Sequence, residues 1–192
     1  NKPLGLPIEG EGKPYIPQPG TSGWSGTTLP WMAFGYNVSI TPLQTLTLYN
    51  AVANNGVMVK PIFVSEIKEW NKTIKKYNTE VINPKICSKD ALNKVQAVLE
   101  NVVKKGTGSK LYSKDFSMAG KTGTAQVNYK DKSKLYYASS FVGYFPAKEP
   151  KYSCIVIINK PNVATGYYGA DVSGPVFKRI AQKIFTDSPS MN

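Results

Sequence analysis

The sequence predicts a mixed α/β fold of the α+β kind, an antiparallel sheet with helices packed against it. Three observations lead there. Two capped segments in the first half and one near the end carry helical spacing of apolar residues. Between the second and third of these, the chain is dominated by three β-rich runs. The connections between those runs, YKDKSK and KEP, are short and polar, which suits antiparallel neighbours.

Residues 1–30 are rich in Pro and Gly and read as an irregular loop. A helix starts within SITPLQTLTLYNAVANNG. Thr41 is its N-cap, Pro42 fits the first turn, and Gln44 completes a Thr-x-x-Gln capping box. Leu43, Leu46, Tyr49, Val52 and Ala53 follow helical spacing, and Gly56 is placed to end the helix in a left-handed turn. VMVKPIFVSEIKEW then reads as an edge or bulged strand, because Pro61 has no N–H to give a ladder. NKTIKKYNTEVINPK reads as a short polar hairpin or loop. SKDALNKVQAVLENVVKKGTG is the second helix, with Ser88 as cap and Leu92, Val95, Leu99 and Val102 as its apolar stripe. Lys104 and Lys105 suit the negative end of its dipole before Gly106. FSMAGKTGTAQVNY, YYASSFVGYFPA and KYSCIVIINKP are the three strands. SGPVFKRIAQKIF closes the chain as a helix with Val176, Phe177, Ile180, Ala181 and Ile184 on one side.

At 192 residues, 41% of them apolar and 19% charged, the chain suits one globular domain or a piece of a larger one. No apolar run approaches the ~18 residues that a membrane span needs. The opening NKPLGLPIEGEG is no signal peptide, so the expectation is a mature or truncated product whose targeting segment lies elsewhere. The net charge of +12 is compatible with a polyanion, an anionic membrane surface, an acidic polymer or simply a solvated lysine-rich surface. Nucleic acid is disfavoured: Arg179 is the only arginine, and the nearest thing to a patch is Lys72, Lys75 and Lys76. Cys87 and Cys154 lack metal-ligand spacing, and the chain has no histidine. A Ser-His-Asp triad or a histidine-based zinc site is therefore excluded from this chain alone.

The chemistry-bearing stretch is AGKTGTAQ, residues 119–126. A phosphate loop would need Gly-x-x-x-x-Gly-Lys-Thr, yet the first glycine position is occupied by Asp115, and Thr122, Thr124 and Val127 continue a strand rather than open a helix. As a strand, it places the Thr122 and Thr124 hydroxyls on one face, ~7 Å apart. Gly123 leaves room for another backbone between them. Lys121 adds a compact positive charge that attracts a carboxylate. An edge strand of this kind could also pair with an extended peptide. A surface strand with two threonines and a solvated lysine is the plain alternative.

The stretch resembles the third motif of the penicillin-binding proteins and serine β-lactamases. Further blocks, in the family's order, are similar to class B penicillin-binding proteins: MAFGYNVSITPLQTLTLYNAVANNGVMVKPIFV, VVKKGTGSKL, FVGYFPAKEPKYSCIVIINKP and YYGADVSGPVFKRIA. The wording of GYNVSITPLQTLTLYNAVANNG most resembles the division-type, FtsI- and SpoVD-like, D,D-transpeptidases. The resemblance implies a lead-in over 1–30, the C-terminal half of a transpeptidase domain over 31–187 and a tail over 188–192. The family's nucleophile, the serine of Ser-x-x-Lys, and its Ser-x-Asn motif both precede the helix that begins here at Thr41. Ser65 and Lys68 have the right spacing but would point to opposite faces of a strand, and Ser190, Met191 and Asn192 lie after the last helix. The nucleophile is thus expected outside this chain, and the chain alone is expected to be inactive.

By the same resemblance, Lys121 would set the electrostatics of proton transfer, and Thr122 and Thr124 would bind the terminal carboxylate of a D-Ala-D-Ala stem peptide or a β-lactam. The Thr124 N–H would form half of the oxyanion hole, Gly123 would leave the acyl chain room, and Ala125 and Gln126 would continue the substrate-binding strand. The partners implied are peptidoglycan stem peptide, β-lactams, the other half of the domain and divisome proteins, and neither metal nor organic cofactor is implied. The place implied is the periplasmic side of the inner membrane, through an anchor outside this chain. A β-lactamase or β-lactam sensor, and a non-catalytic peptide-binding module, are the competing readings.

Overall fold

The structure is a computed structural model and describes residues 2–128, 131 and 133–188; Ser190, Met191 and Asn192 lie outside them. It divides into two compact units. One comprises Asn1–Thr45 and Lys60–Glu80, the other Leu46–Val59 and Val81–Asn192.

In the first unit, the lead-in is held by local polar contacts. The Glu11 carboxylate accepts the Leu4 and Leu6 N–H groups, and the Leu6 bond foremost lowers its pKa. Residues 28–30 are not loop: helix α1 spans Thr28–Ala33. The Ser25 N–H donates to Thr28 Oγ1 at 2.8 Å, and Trp31, Phe34 and Tyr36 cluster with ring centroids 5.5–5.6 Å apart. Helix α2, Pro42–Ala53, begins with the expected capping box. The Thr41 N–H donates to Gln44 Oε1 at 2.8 Å and the Gln44 N–H to Thr41 Oγ1 at 3.1 Å. Its far end lies in the second unit, where Gly56 adopts φ 85° and donates its N–H to the Ala51 carbonyl at 2.8 Å.

The single strand expected over 57–70 is two: β1, Met58–Val59, and β2, Glu66–Glu69. Pro61 cannot donate to a ladder, and the Lys60 N–H is already bonded to the Glu80 carbonyl at 2.8 Å. Strand β3, Lys72–Lys76, forms an antiparallel hairpin with β2, and β4, Val81–Asn83, pairs with β1.

The second unit is built on helix α3, Lys89–Lys105, capped by the Ser88 hydroxyl, which accepts the Ala91 N–H at 3.2 Å. Leu92, Leu99 and Val103 are its buried residues. Val95 is 42% exposed, so the apolar stripe runs through Val103 in place of Val95 and Val102. Strands β5, Ala119–Val127, β6, Tyr136–Phe145, and β7, Tyr152–Asn159, form the antiparallel sheet in the order β5-β6-β7. Helix α4, Ser173–Asp187, packs on it. Phe177 of α4 meets Phe141 and Phe145 of β6 with centroids 4.7 and 5.7 Å apart, in a core that also holds Val103, Leu111, Phe116 and Met118. A second cluster joins Val52, Leu92, Leu99, Ala119 and Tyr144. These clusters clamp the start of β5 from two sides and leave its middle at the surface.

Candidate functional site

Strand β5 pairs with β6 along its full length, from Ala119 opposite Tyr144 to Val127 opposite Tyr136. Among the described residues no strand pairs with its other side. Alternate backbone N–H and C=O groups of such an edge point outward and accept an extended partner. Lys121 lies within this strand, and no helix opens after it, so the phosphate-loop geometry is absent.

The two threonines each have an internal partner. The Thr122 hydroxyl is 3.0 Å from that of Thr107, and Lys121 Nζ donates to the Thr122 carbonyl at 2.9 Å, with Thr122 Oγ1 3.4 Å away. Thr107 reaches it because α3 ends in a tight Gly-Thr-Gly turn: the N–H groups of Gly106 and Gly108 both bond the Val102 carbonyl, at 3.1 and 3.0 Å. Thr124 Oγ1 accepts the backbone N–H of Gly169 at 3.0 Å. A hydroxyl that accepts one bond keeps its own proton to donate, so Thr124 remains a donor toward the exposed side. The hydroxyls are thus oriented from within before any ligand arrives.

Gly169 lies against β5 with no room for a side chain. A Cβ there would lie 2.6 Å from the Gly123 carbonyl oxygen and 3.1 Å from its nitrogen, and would also strike the Ser140 carbonyl. Gly123 needs space for a different reason, since its Cβ would strike the Ser140 hydroxyl. The loop carrying Gly169 is anchored by Ser139 Oγ, which donates to the Tyr167 carbonyl, and by the Lys110–Asp171 ion pair at 2.6 Å. Tyr167 stacks on Tyr137 at 4.1 Å and lies tilted against Tyr168 at 4.4 Å, making an aromatic wall beside the end of β5. The hydrogen bond to Tyr168, above all, pushes the Tyr167 phenol up to about 12. Gln126 reaches this wall through Nε2, which donates to the Tyr137 hydroxyl at 3.1 Å. Ala125 is exposed opposite Ala138.

The structure therefore brings Lys121, Thr122, Gly123, Thr124, Ala125 and Gln126 onto one exposed edge and adds Thr107, Tyr137, Ser139, Tyr167, Tyr168 and Gly169. Sequence reasoning assigned no role to these six. For Thr107, Tyr167, Tyr168 and Gly169 the signals available were the KGTG and YYG stretches, both within blocks that carry the family resemblance; Tyr137 and Ser139 lie outside those blocks. Ser65 stands just outside β2, and Lys68 is paired with Glu66 at 2.7 Å. Among the described residues no cluster of His, Cys, Asp or Glu could hold a metal ion, and no helix is long and apolar enough to cross a membrane.

Residues 3–182 match the family described as penicillin binding protein transpeptidase domain. The chain is 32% identical over 163 residues to a peptidoglycan D,D-transpeptidase FtsI of Buchnera aphidicola, an alignment covering 84% of this chain and 27% of that protein. It is 32% identical over 155 residues to the stage V sporulation protein D of Bacillus subtilis, covering 77% and 23% respectively. The chain thus spans about a quarter of the length of these relatives. Among solved structures, penicillin-binding protein 3 of Mycobacterium tuberculosis in complex with aztreonam superposes with a TM-score of 0.81 at 27% identity, over 97% of this chain and 43% of that one.

Proposed function

The chain belongs to the penicillin-binding protein transpeptidase family, and from that premise we propose that it supplies the carboxylate-binding wall of a peptidoglycan D,D-transpeptidase acting in septal wall synthesis. The observation that carries the reading is Thr124. Its hydroxyl is fixed by the Gly169 N–H at 3.0 Å and keeps a proton to donate, on a strand whose neighbouring Thr122 hydroxyl lies 3.4 Å from the Lys121 ammonium. That pairing suits a peptide ending in a free carboxylate, with Thr122 the second donor.

In the proposed reaction a serine from a segment outside these residues attacks the penultimate D-Ala carbonyl. Its proton passes to a base, the oxyanion is held by two backbone N–H groups, one of them that of Thr124, and D-Ala departs with a proton as the amine. The amine of a second stem peptide then attacks the acyl-serine, forms the cross-link and returns the serine. Lys121 lowers the cost of the negative charge that develops. Gly123 keeps the strand bare where the acyl chain passes, and Ala125 and Gln126 extend the surface along which the peptide lies. A β-lactam carries both an anionic group and a reactive amide, and the mycobacterial relative is described in complex with aztreonam. Location on the periplasmic side of the inner membrane, an anchor outside this chain and divisome partners complete the proposal.

The test is acylation by a fluorescent penicillin. The full-length protein is expected to label and this chain alone is not. Thr124→Val in the full-length protein removes a hydrogen bond to a charged group and is expected to slow acylation roughly 10- to 100-fold. Labelling of this chain by itself, or an unchanged rate in Thr124→Val, overturns the assignment.

A further inference from the structure

The hairpin of the first unit carries a feature that the β5 edge does not use. Strands β2 and β3 are joined by Trp70 and Asn71, both left-handed, with φ 47° and 65°. A two-residue hairpin loop with positive φ at both positions favours Asn, Asp or Gly, and a bulky residue there is strained. Trp70 gains no packing in return, being 96% exposed. Every residue of both strands is exposed as well, with Ile67 at 43% and Ile74 at 60%. A lone two-stranded hairpin is marginal in water, so a surface that covers its apex would stabilise it.

The charge around the apex is mostly uncompensated and basic. Lys68 is paired with Glu66, whose carboxylate also accepts the Thr73 hydroxyl at 3.1 Å. Among the described residues, Lys72, Lys75 and Lys76 have no carboxylate within ion-pair distance. Glu69 is the cross-strand neighbour of Lys72 but forms no such pair with it, and Lys75 lies over the Tyr77 ring, 4.8 Å from its centroid.

We propose that the β2–β3 hairpin docks on an anionic lipid bilayer, with the Trp70 indole in the headgroup region and Lys72, Lys75 and Lys76 against lipid phosphates. An indole has an apolar body and a polar N–H, and the membrane interface accommodates both. Juxtamembrane lysines are drawn to anionic headgroups. A second copy of this chain is disfavoured, because a net charge of +12 repels itself. A soluble polyanion would satisfy the lysines but leave the indole in water. A bilayer surface is fluid and accepts a convex apex without a preformed pocket. The inference is independent of the reading of β5.

Flotation of this chain with vesicles of phosphatidylglycerol and phosphatidylcholine, against vesicles of phosphatidylcholine alone, tests it. Co-flotation is expected with the anionic vesicles only, accompanied by a blue shift of tryptophan emission. Trp24 and Trp31 remain in Trp70→Phe, so the difference spectrum isolates Trp70; the shift should vanish while most binding persists. Trp70→Ala is expected to weaken partitioning about tenfold. Joint replacement of Lys72, Lys75 and Lys76 by Gln should weaken it about a hundredfold, at about fivefold per lysine. Circular dichroism checks that each variant keeps its fold. Equal binding to neutral vesicles, or wild-type partitioning in Trp70→Ala, overturns the proposal. Binding to soluble polyglutamate with no flotation also overturns it and assigns the lysines to an anionic polymer.

Discussion

Gly169→Ala and Gly123→Ala each add one methyl group to the β5 wall, and their costs should differ sharply. At Gly169 the new carbon meets the Gly123 carbonyl oxygen at 2.6 Å and nitrogen at 3.1 Å, and the Ser140 carbonyl as well. Gly123 and Ser140 are register partners in the sheet, so these backbone atoms cannot turn aside. The loop must retreat by about 0.5–1 Å, on the scale of strain that overpacking a tight site produces. That movement breaks the 3.0 Å bond from the Gly169 N–H to Thr124 Oγ1. The lost hydrogen bond costs about 1 kcal/mol and the overpacking about 1–3 kcal/mol, so about 2–4 kcal/mol of stability should disappear. At Gly123 the conflict is with the Ser140 hydroxyl, and the next neighbour is Ser140 Cβ at an ordinary 3.8 Å. Rotating a hydroxyl to another rotamer costs about 1 kcal/mol or less. Urea unfolding followed by circular dichroism measures both, with an unchanged m-value as the sign that only stability has moved. The reasoning is refuted if Gly169→Ala lies within about 0.5 kcal/mol of wild type, the range of an ordinary surface change. It is refuted equally if Gly123→Ala proves the more damaging substitution.

Phe177→Ala empties the ring cluster with Phe141 and Phe145 and should cost about 3–5 kcal/mol, read as a lower urea midpoint. Tyr144 is fully buried with a hydroxyl that has no partner among the described residues, and burial pushes its phenol from 10.0 to about 12. The folded state holds that proton longer than the unfolded state does. Stability from this group is therefore complete below pH 10 and lost as the pH rises toward 12. Tyr144→Phe should flatten that alkaline loss in thermal melts taken across the window, while keeping neutral-pH stability within about 1 kcal/mol of wild type or above it. An unchanged alkaline slope in Tyr144→Phe would assign the loss to other groups.

The elements legible in the sequence are those whose causes lie within a few residues. The Thr41–Gln44 capping box, the Ser88 cap and the Gly56 left-handed turn all follow from local chemistry and are present. Helix α1 is short and lacks a side-chain cap, so nothing local distinguishes its start from the Pro/Gly-rich lead-in. Pro61 signalled an edge or a bulge but not the length of the interruption, which depends on the bond from Lys60 to Glu80, twenty residues apart in a hairpin connection. Val95 had the spacing of a core residue. Whether a residue at the border of a helix stripe is covered depends on what packs there, and here Val103 is covered instead.

The sequence by itself determined that AGKTGTAQ is a strand, that its threonines share a face and that no histidine chemistry is available. Side-chain alternation and composition are local or global counts, and folding does not alter them. Tertiary structure alone decided what orients those threonines. Thr107 arrives from 15 residues away and Gly169 from 45, each meeting one hydroxyl of β5. A close backbone approach leaves no trace in sequence beyond a glycine, and a glycine has many other uses. Only the folded chain distinguishes Gly123, which spares a rotatable hydroxyl, from Gly169, which touches backbone on two strands and holds Thr124 in place.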